Sequence, residues 1–347
     1  MRIGLVGPYP PPRGGVSVHL QRLESILCNN GVKVEVFDTK LLQTNKSKIK
    51  KKLFHLKWLR QFEKCNWIDI LHIHTVNWLD CAVIISIAKR RKIHTIITFH
   101  SLRDEWHEMT MFKKKLVGYV LKNADYLIAT GEKERNKLLK WLDCRTKLSI
   151  IPAFLKPKEI SCELPTRIAQ FIQNHKFIIS ANGSNTNFYQ GNDIYGLDML
   201  VELCSKLSNE IDVGFIYCLS NVTDIEYIRE IQKRIATNEI EDSFLIVLDN
   251  IDFWPLLRNT NLFIRPACTD SFGVSVAEAL SSGIPSIASD VCKRPEGTIL
   301  FKNRSNEDLY AKTKEVINNF TYYKECTKHL EVADYGNSIY KLYQKFL

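Results

Sequence analysis

No apolar run in this 347-residue chain is long enough to cross a bilayer: the longest, residues 81–88, is eight residues, against the roughly 20 that a spanning helix needs. The opening stretch MRIGLVG is shorter than a signal-peptide core, and Pro8 and Pro10–Pro12 would break any extension of it. The expectation is a cytoplasmic protein, free or peripheral on the inner face of the membrane. The ten cysteines include no CxxC pair and join no His/Cys group at metal spacing, so they read as small buried apolar residues in a reducing compartment. No DxD motif stands in a setting suited to a divalent cation, and neither a bound metal nor a resident cofactor is expected. Low-complexity tracts and disordered tails are missing too.

The charge, by contrast, is abundant and lopsided. The net charge is +10, but residues 1–155 hold 28 Lys+Arg against 13 Asp+Glu, while the remainder hold 20 against 25. Such asymmetry points to an anionic partner for the first half. Between residues 46 and 62, Lys50, Lys51 and Lys52 stand among other basic residues, Trp58, leucines and phenylalanines, and Lys113–Lys115 come after Met111 and Phe112. Basic residues mixed with aromatic and aliphatic ones suit an anionic lipid surface; a solvated helix face is the plainer alternative. No nucleic-acid recognition motif is present.

The chain opens with an apolar strand, a Pro/Gly loop, and apolar residues at 16, 20, 23 and 27, one face of a helix stopped by Gly31. A strand over 32–37 completes a βαβ unit. Strand and helix patterns alternate to residue 151, prolines crowd residues 152–165, and the alternation restarts at Phe177. The fold class expected is α/β, with two doubly wound Rossmann-like domains. The first runs over 1–155, a linker over 156–176, the second over 177–330, and a helix over 331–347 packs back toward the first. Ligands of such folds bind in the crevice beyond the carboxyl ends of the strands.

The most specific segment is Asp270-Ser-Phe-Gly-Val-Ser-Val-Ala-Glu278. Asp270 lies in the loop before a helix and Glu278 just over a turn inside it. Gly273 permits close approach to the backbone, and the amides of Phe272, Gly273 and Val274 at a helix start favour an anion. A diphosphate flanked by hydroxylated groups fits that pattern; an ordinary strand–turn–helix with solvated acids is the plain alternative.

The segment resembles the E-x7-E signature of the retaining family 4 glycosyltransferases of the GT-B fold. Other stretches resemble that family in register: Pro12-Arg13-Gly14-Gly15-Val16, Asp69-Ile-Leu-His72-Ile-His74, Thr98-Phe-His100-Ser101, Ala124-Asp125-Tyr126, Tyr195-Gly-Leu-Asp-Met-Leu200 and Pro295-Glu296-Gly297. The resemblance implies metal-independent transfer of a sugar, a hexose by family habit, from a nucleotide sugar (a UDP-sugar is the guess) to a glycan acceptor. That acceptor is expected to be lipid-linked or membrane-proximal, of the bacterial surface polysaccharide type. It places Gly14 and Gly15 against the donor diphosphate, with Arg13 beside them on the acceptor side. His100 faces the transferred sugar, Asp270 takes its hydroxyls, and Glu278 takes the nucleotide ribose. Asn182, Gly183, Ser184, Phe272, Gly273, Val274, Arg294 and Glu296 complete the donor-binding set. His72 and His74 are read as packing residues.

Three departures from the family pattern stand out. Asp270 is one methylene shorter than the usual Glu. Residues 182–196 contain no Arg or Lys, and Tyr195 stands where the family carries a diphosphate-clamping Lys. Arg265, before Pro266, is the expected substitute cation, with a surface ion pair as its alternative; Arg294 is the next candidate. A nucleotide-sugar epimerase of the same architecture and a non-catalytic nucleotide- or glycan-binding subunit are the rival readings.

Overall fold

The structure, a computed structural model, describes residues 1–11, 13–39, 67–74, 77–102, 104–157, 163–249 and 251–347. Lys50, Lys51, Lys52 and Trp58 lie outside the described residues. The chain divides into two compact units, residues 1–10 with 16–155 and 334–347, and residues 11–15 with 156–333.

The strands of the first unit are β1 (Arg2–Gly7), β2 (Lys33–Asp38), β3 (Ile70–Ile73), β4 (His94–Phe99), β5 (Tyr126–Ala129) and β6 (Leu148–Ile150). They form a parallel sheet in the order β2-β1-β3-β4-β5-β6. Its helices are α1 (Gly15–Asn29), α2 (Trp78–Arg90), α3 (Met111–Asn123) and α4 (Glu132–Trp141). The inner strands β1, β3, β4 and β5 are buried along most of their length, as a parallel sheet covered by helices requires, whereas the edge strand β2 alternates charged and apolar residues. α2 is started by Asn77, whose side chain accepts from the amides of Leu79 and Asp80.

The second unit repeats the plan. Its main strands are β7 (Phe177–Gly183), β10 (Val213–Leu219), β11 (Phe244–Val247), β12 (Leu262–Arg265), β13 (Ser286–Ser289) and β14 (Ile299–Phe301). Their order is β11-β10-β7-β12-β13-β14. A two-stranded hairpin, β8 (Phe188–Tyr189) and β9 (Asn192–Asp193), interrupts the first crossover. The helices are α5 (Thr166–Gln173), α6 (Leu197–Leu207), α7 (Ile225–Thr237), α8 (Phe253–Leu257), α9 (Val274–Ser281), α10 (Asn306–Asn318) and α11 (Phe320–Lys328).

These boundaries differ from the sequence expectation in two ways, at residues 156–176 and at residues 11–15. Residues 156–176 are not a bare linker: α5 lies there and sets Ile168 into the core of the second unit. Residues 11–15 group with the second unit rather than the first. The last helix, α12 (Gly336–Gln344), is part of the first unit, where Ile339, Leu342 and Tyr343 are buried with Ile3, Leu5 and Ile70. In each sheet the strand order reverses beside the first strand, between β1 and β3 in one and between β7 and β12 in the other. In open α/β sheets that reversal marks the ligand crevice.

Candidate active site

In the second unit, the two strands flanking the reversal end on polar residues that meet. Arg265 closes β12 and Asn182 lies one residue before the end of β7. The Arg265 guanidinium donates from Nη1 to the Asn182 carbonyl at 2.9 Å and to its Oδ1 at 3.2 Å. From Nε it donates to Asp270 Oδ2 at 3.2 Å. The same carboxylate oxygen accepts from Arg294 Nη1 at 2.8 Å, and Oδ1 accepts from the Ser271 amide at 3.1 Å. Arg294 is anchored behind this pair: Nε donates to the Ser289 carbonyl at 2.9 Å and Nη2 to Ser289 Oγ at 3.0 Å. Burial alone would raise the Asp270 pKa; the charges of Arg265 and then Arg294 overcome it and hold the carboxyl at about 2.

This bears on two expectations. Arg265 is not part of a surface ion pair, since its side chain is 13 % exposed and Asp270's is 17 %. Arg294, expected in a cleft-facing loop among the donor contacts, has a side chain 1 % exposed and holds Asp270.

The aromatic residue at 195 acquires a reason as well. The Arg265 guanidinium carbon stands 4.8 Å from the centroid of the Tyr195 ring, a cation–π contact. The Tyr195 hydroxyl is bonded to Ser184 Oγ. The ring therefore supports a cation brought from β12 at the place where the family pattern would bring its own Lys. Gly183 closes β7 against Tyr217, whose hydroxyl a Cβ at 183 would strike.

α9 begins immediately beyond. Gly273, its N-cap, has φ +90°, a left-handed conformation that favours glycine. An added Cβ would also come within 2.6 Å of Arg294 Nη1. The glycine thus serves the packing of Arg294 as well as any approach by a ligand. Phe272 precedes the helix, Val274 opens it, and Glu278 lies inside it at 7 % exposure. If Glu278 takes the ribose, Glu278→Ala should weaken nucleotide binding by about 1.5–3 kcal/mol, the contribution of a hydrogen bond to a charged acceptor. Calorimetry would read this, and unchanged affinity would remove Glu278 from the site. Glu296 is exposed in the loop after β13.

Around the first loop, Gly14 is partly exposed and Gly15 opens α1. Arg13, expected on the acceptor side, is paired with Asp252: Nη1 lies 3.2 Å from Asp252 Oδ2, and Asp252 caps α8 in the second unit. In the first unit His100 stands directly after β4, and its Nε2 is 3.0 Å from His74 Nδ1. His72 is buried, bonded through Nδ1 to the Tyr343 hydroxyl and through Nε2 to Thr98 Oγ1. Three residues of these clusters are not anticipated from sequence: Ser289, Tyr343 and His19. His19 stacks edge-on to His100 with ring centroids 4.8 Å apart. It falls on the buried face of α1, a position that its helical period marks as core and not as chemistry.

Residues 13–158 match the family described as Glycosyltransferase Family 4, and residues 187–319 match Glycosyl transferases group 1. No curated protein sequence matches. Among solved structures, the chain resembles Anabaena HepE in complex with UDP and glucose, at 12% identity over 99% of this chain and 100% of that one, TM-score 0.72. It also resembles sucrose-phosphate synthase from Thermosynechococcus elongatus, at 16% identity over 99% and 98%, TM-score 0.73. A glycosyltransferase from Rickettsia africae is similar at 16% identity over 99% and 98%, TM-score 0.75. At these identities the structures bear on the fold, and the two family matches, in series along most of the sequence, bear on descent: the chain is a GT-B-fold member of the family 4, group 1 glycosyltransferases.

Proposed function

We propose that the chain is a retaining hexosyltransferase that uses a UDP-sugar and needs no metal ion. The acceptor is a lipid-linked or membrane-proximal glycan of the bacterial surface polysaccharide type. The observation that carries this reading is the Arg265–Asp270–Arg294 network at the strand reversal of the second unit, directly before the amino end of α9. In the reaction the acceptor oxygen bonds to the anomeric carbon as the bond to the β-phosphate oxygen breaks, and the acceptor's proton leaves with the diphosphate. Negative charge grows on that phosphate, where the first-turn amides of α9 and the Arg265 guanidinium stabilise it. Asp270 retains acceptor capacity at Oδ1 for a sugar hydroxyl. Glu278 takes the ribose, and His100 takes its sugar-facing role from the family resemblance. The choice of uracil is supported by the UDP held in HepE.

The test is product analysis with UDP-, GDP- and ADP-sugars, with and without glycan acceptors, in EDTA. Transfer to an acceptor with UDP release and the anomeric configuration kept is expected. Conversion of the donor sugar without acceptor would make the protein an epimerase. Donor binding without turnover would make it a binding subunit, and loss of turnover in EDTA restored by Mg²⁺ would overturn the metal-free chemistry.

Membrane proximity is supported by the first turn of α3, where Met111 and Phe112 are 69% and 66% exposed ahead of Lys113–Lys115. Lys113 is itself paired with Asp104 at 2.7 Å. Co-sedimentation with anionic vesicles should be salt-sensitive. It should fall when Lys50, Lys51 and Lys52 are changed to Glu, at about 1 kcal/mol for each basic residue removed. Equal binding to neutral vesicles would count against the lipid surface.

A further inference from the structure

We propose that His19, His74 and His100 form a three-nitrogen site for a divalent transition-metal ion of the Zn²⁺ class. His19 lies in α1, His74 directly after β3 and His100 directly after β4. One ligand atom from each side chain falls within 4.8 Å of the other two.

The tautomer of His19 suits ligation. His19 Nδ1 is 2.8 Å from the Ala153 carbonyl, which can only accept, so Nδ1 carries the hydrogen and Nε2 carries the lone pair. A backbone carbonyl on the far nitrogen is the usual arrangement behind a metal-bound imidazole. His19 Nε2 and His74 Nε2 are both buried, in residues 3% exposed, and neither has a hydrogen-bond partner among the described residues. A polar atom left buried and unpaired is costly, and His19 Nε2, in a cluster of three imidazoles, asks for an occupant.

His72 is excluded as a fourth ligand because both of its nitrogens are already engaged; its ring, 4.0 Å from that of His74, braces it. Neutral nitrogens with no carboxylate or thiolate select Zn²⁺, Co²⁺ or Ni²⁺ over Mg²⁺ and Ca²⁺. Ligands about 2.0–2.1 Å from a tetrahedral ion stand roughly 3.3–3.4 Å apart. The 3.0 Å hydrogen bond between His74 Nδ1 and His100 Nε2 has to give up its hydrogen before both nitrogens can ligate, and a cluster whose ligand atoms lie within 4.8 Å of one another has to contract to that spacing. The fourth position is left to water. Occupancy engages His100, so the ion should inhibit sugar transfer; that consequence alone rests on the function proposed above.

The experiment uses the full chain stripped with chelator and titrated with Zn²⁺ by calorimetry and with Co²⁺ by visible absorption. One ion per chain and a tetrahedral Co²⁺ spectrum are expected, with affinity lowered roughly 10–100-fold or more in His19→Asn. His329→Asn should bind as wild type, since His329, directly after α11, makes an exposed pair with Glu325. Nitrogen-15 spectra of the wild-type imidazoles cover the case in which His19→Asn fails to fold. Zn²⁺ should shift His19, His74 and His100 and leave His94, His175 and His329 in place. Absence of stoichiometric binding, equal affinity in a folded His19→Asn, or shifts confined to His329 would each overturn the site. Binding without inhibition would keep the site and count against the role given to His100.

Discussion

Arg265→Ala is expected to lower the turnover number by about 100-fold or more while raising the Michaelis constant far less, the pattern of an interaction made mainly in the transition state. The structure gives the residue the right place and the right spare capacity. Its Nε and Nη1 are committed to Asp270 and Asn182, whereas Nη2 has no protein acceptor among the described residues. The ring of Tyr195 supports one face of the guanidinium, so its position is fixed before any ligand arrives. Preorganisation of that kind is what stabilises charge as it develops on a departing phosphate. Arg265→Lys should recover only part of the loss, because an ammonium keeps the charge but cannot serve Asp270, Asn182 and a phosphate oxygen through one planar fork. Steady-state kinetics beside thermal melts would separate this from misfolding. Near-normal turnover in a folded Arg265→Ala protein would sink the proposal. Arg294 could not then take its place, since its side chain is closed off behind Asp270, and the amides of α9 would carry the charge alone.

Much of this site is legible from residues because it is written in local order. A strand ending in Arg265, an acid five residues later, a glycine and then a helix carrying Glu278 form one contiguous segment, and contiguous chemistry survives in sequence. The illegible part depends on contacts distant in sequence. Nothing in the order of residues shows that Arg294 reaches back to Ser289 and across to Asp270, or that Tyr195 lies under Arg265 from seventy positions away. His19 is hidden for the same reason: its meaning comes from β3 and β4, which fold against α1. Elements are lost where tertiary burial decides the outcome. α5 sits in a stretch that prolines mark as linker, yet Ile168 is 2% exposed in the core. α10 does carry a readable signal, Ser305 accepting from the Asp308 amide at its start, but its apolar face is thin. α8 starts where Asp252 caps it, with Pro255 tolerated in its first turn.

The largest effect on stability should come from Asp270→Asn. The carboxylate stands between two guanidiniums whose side chains are 13% and 1% exposed, and its loss leaves both buried charges without an anion. Removing one partner of a buried ion pair typically costs about 3–5 kcal/mol. Asparagine keeps the volume, but it removes the charge and turns an amide hydrogen toward one of the two arginines. The pH dependence separates charge from shape. The folded carboxyl is held at about 2, below its unfolded value of about 3.9. A depressed carboxyl contributes stability that is fully present above the unfolded value and fades as pH falls through the folded one. The gap between wild type and Asp270→Asn, read from denaturant unfolding of the second unit, should therefore be flat from about pH 8 to about pH 5 and close progressively between about pH 4 and pH 2. A gap under about 1 kcal/mol would mean that water or backbone carbonyls already satisfy the arginines. A gap that changes near neutral pH would place the titrating group elsewhere. Replacing the whole network, Arg265→Met with Asp270→Leu and Arg294→Met, should recover most of the lost stability, since a well-packed apolar cluster often matches a buried ion network. It should not recover any sugar transfer, and that separation of stability from turnover is what a network retained for chemistry predicts.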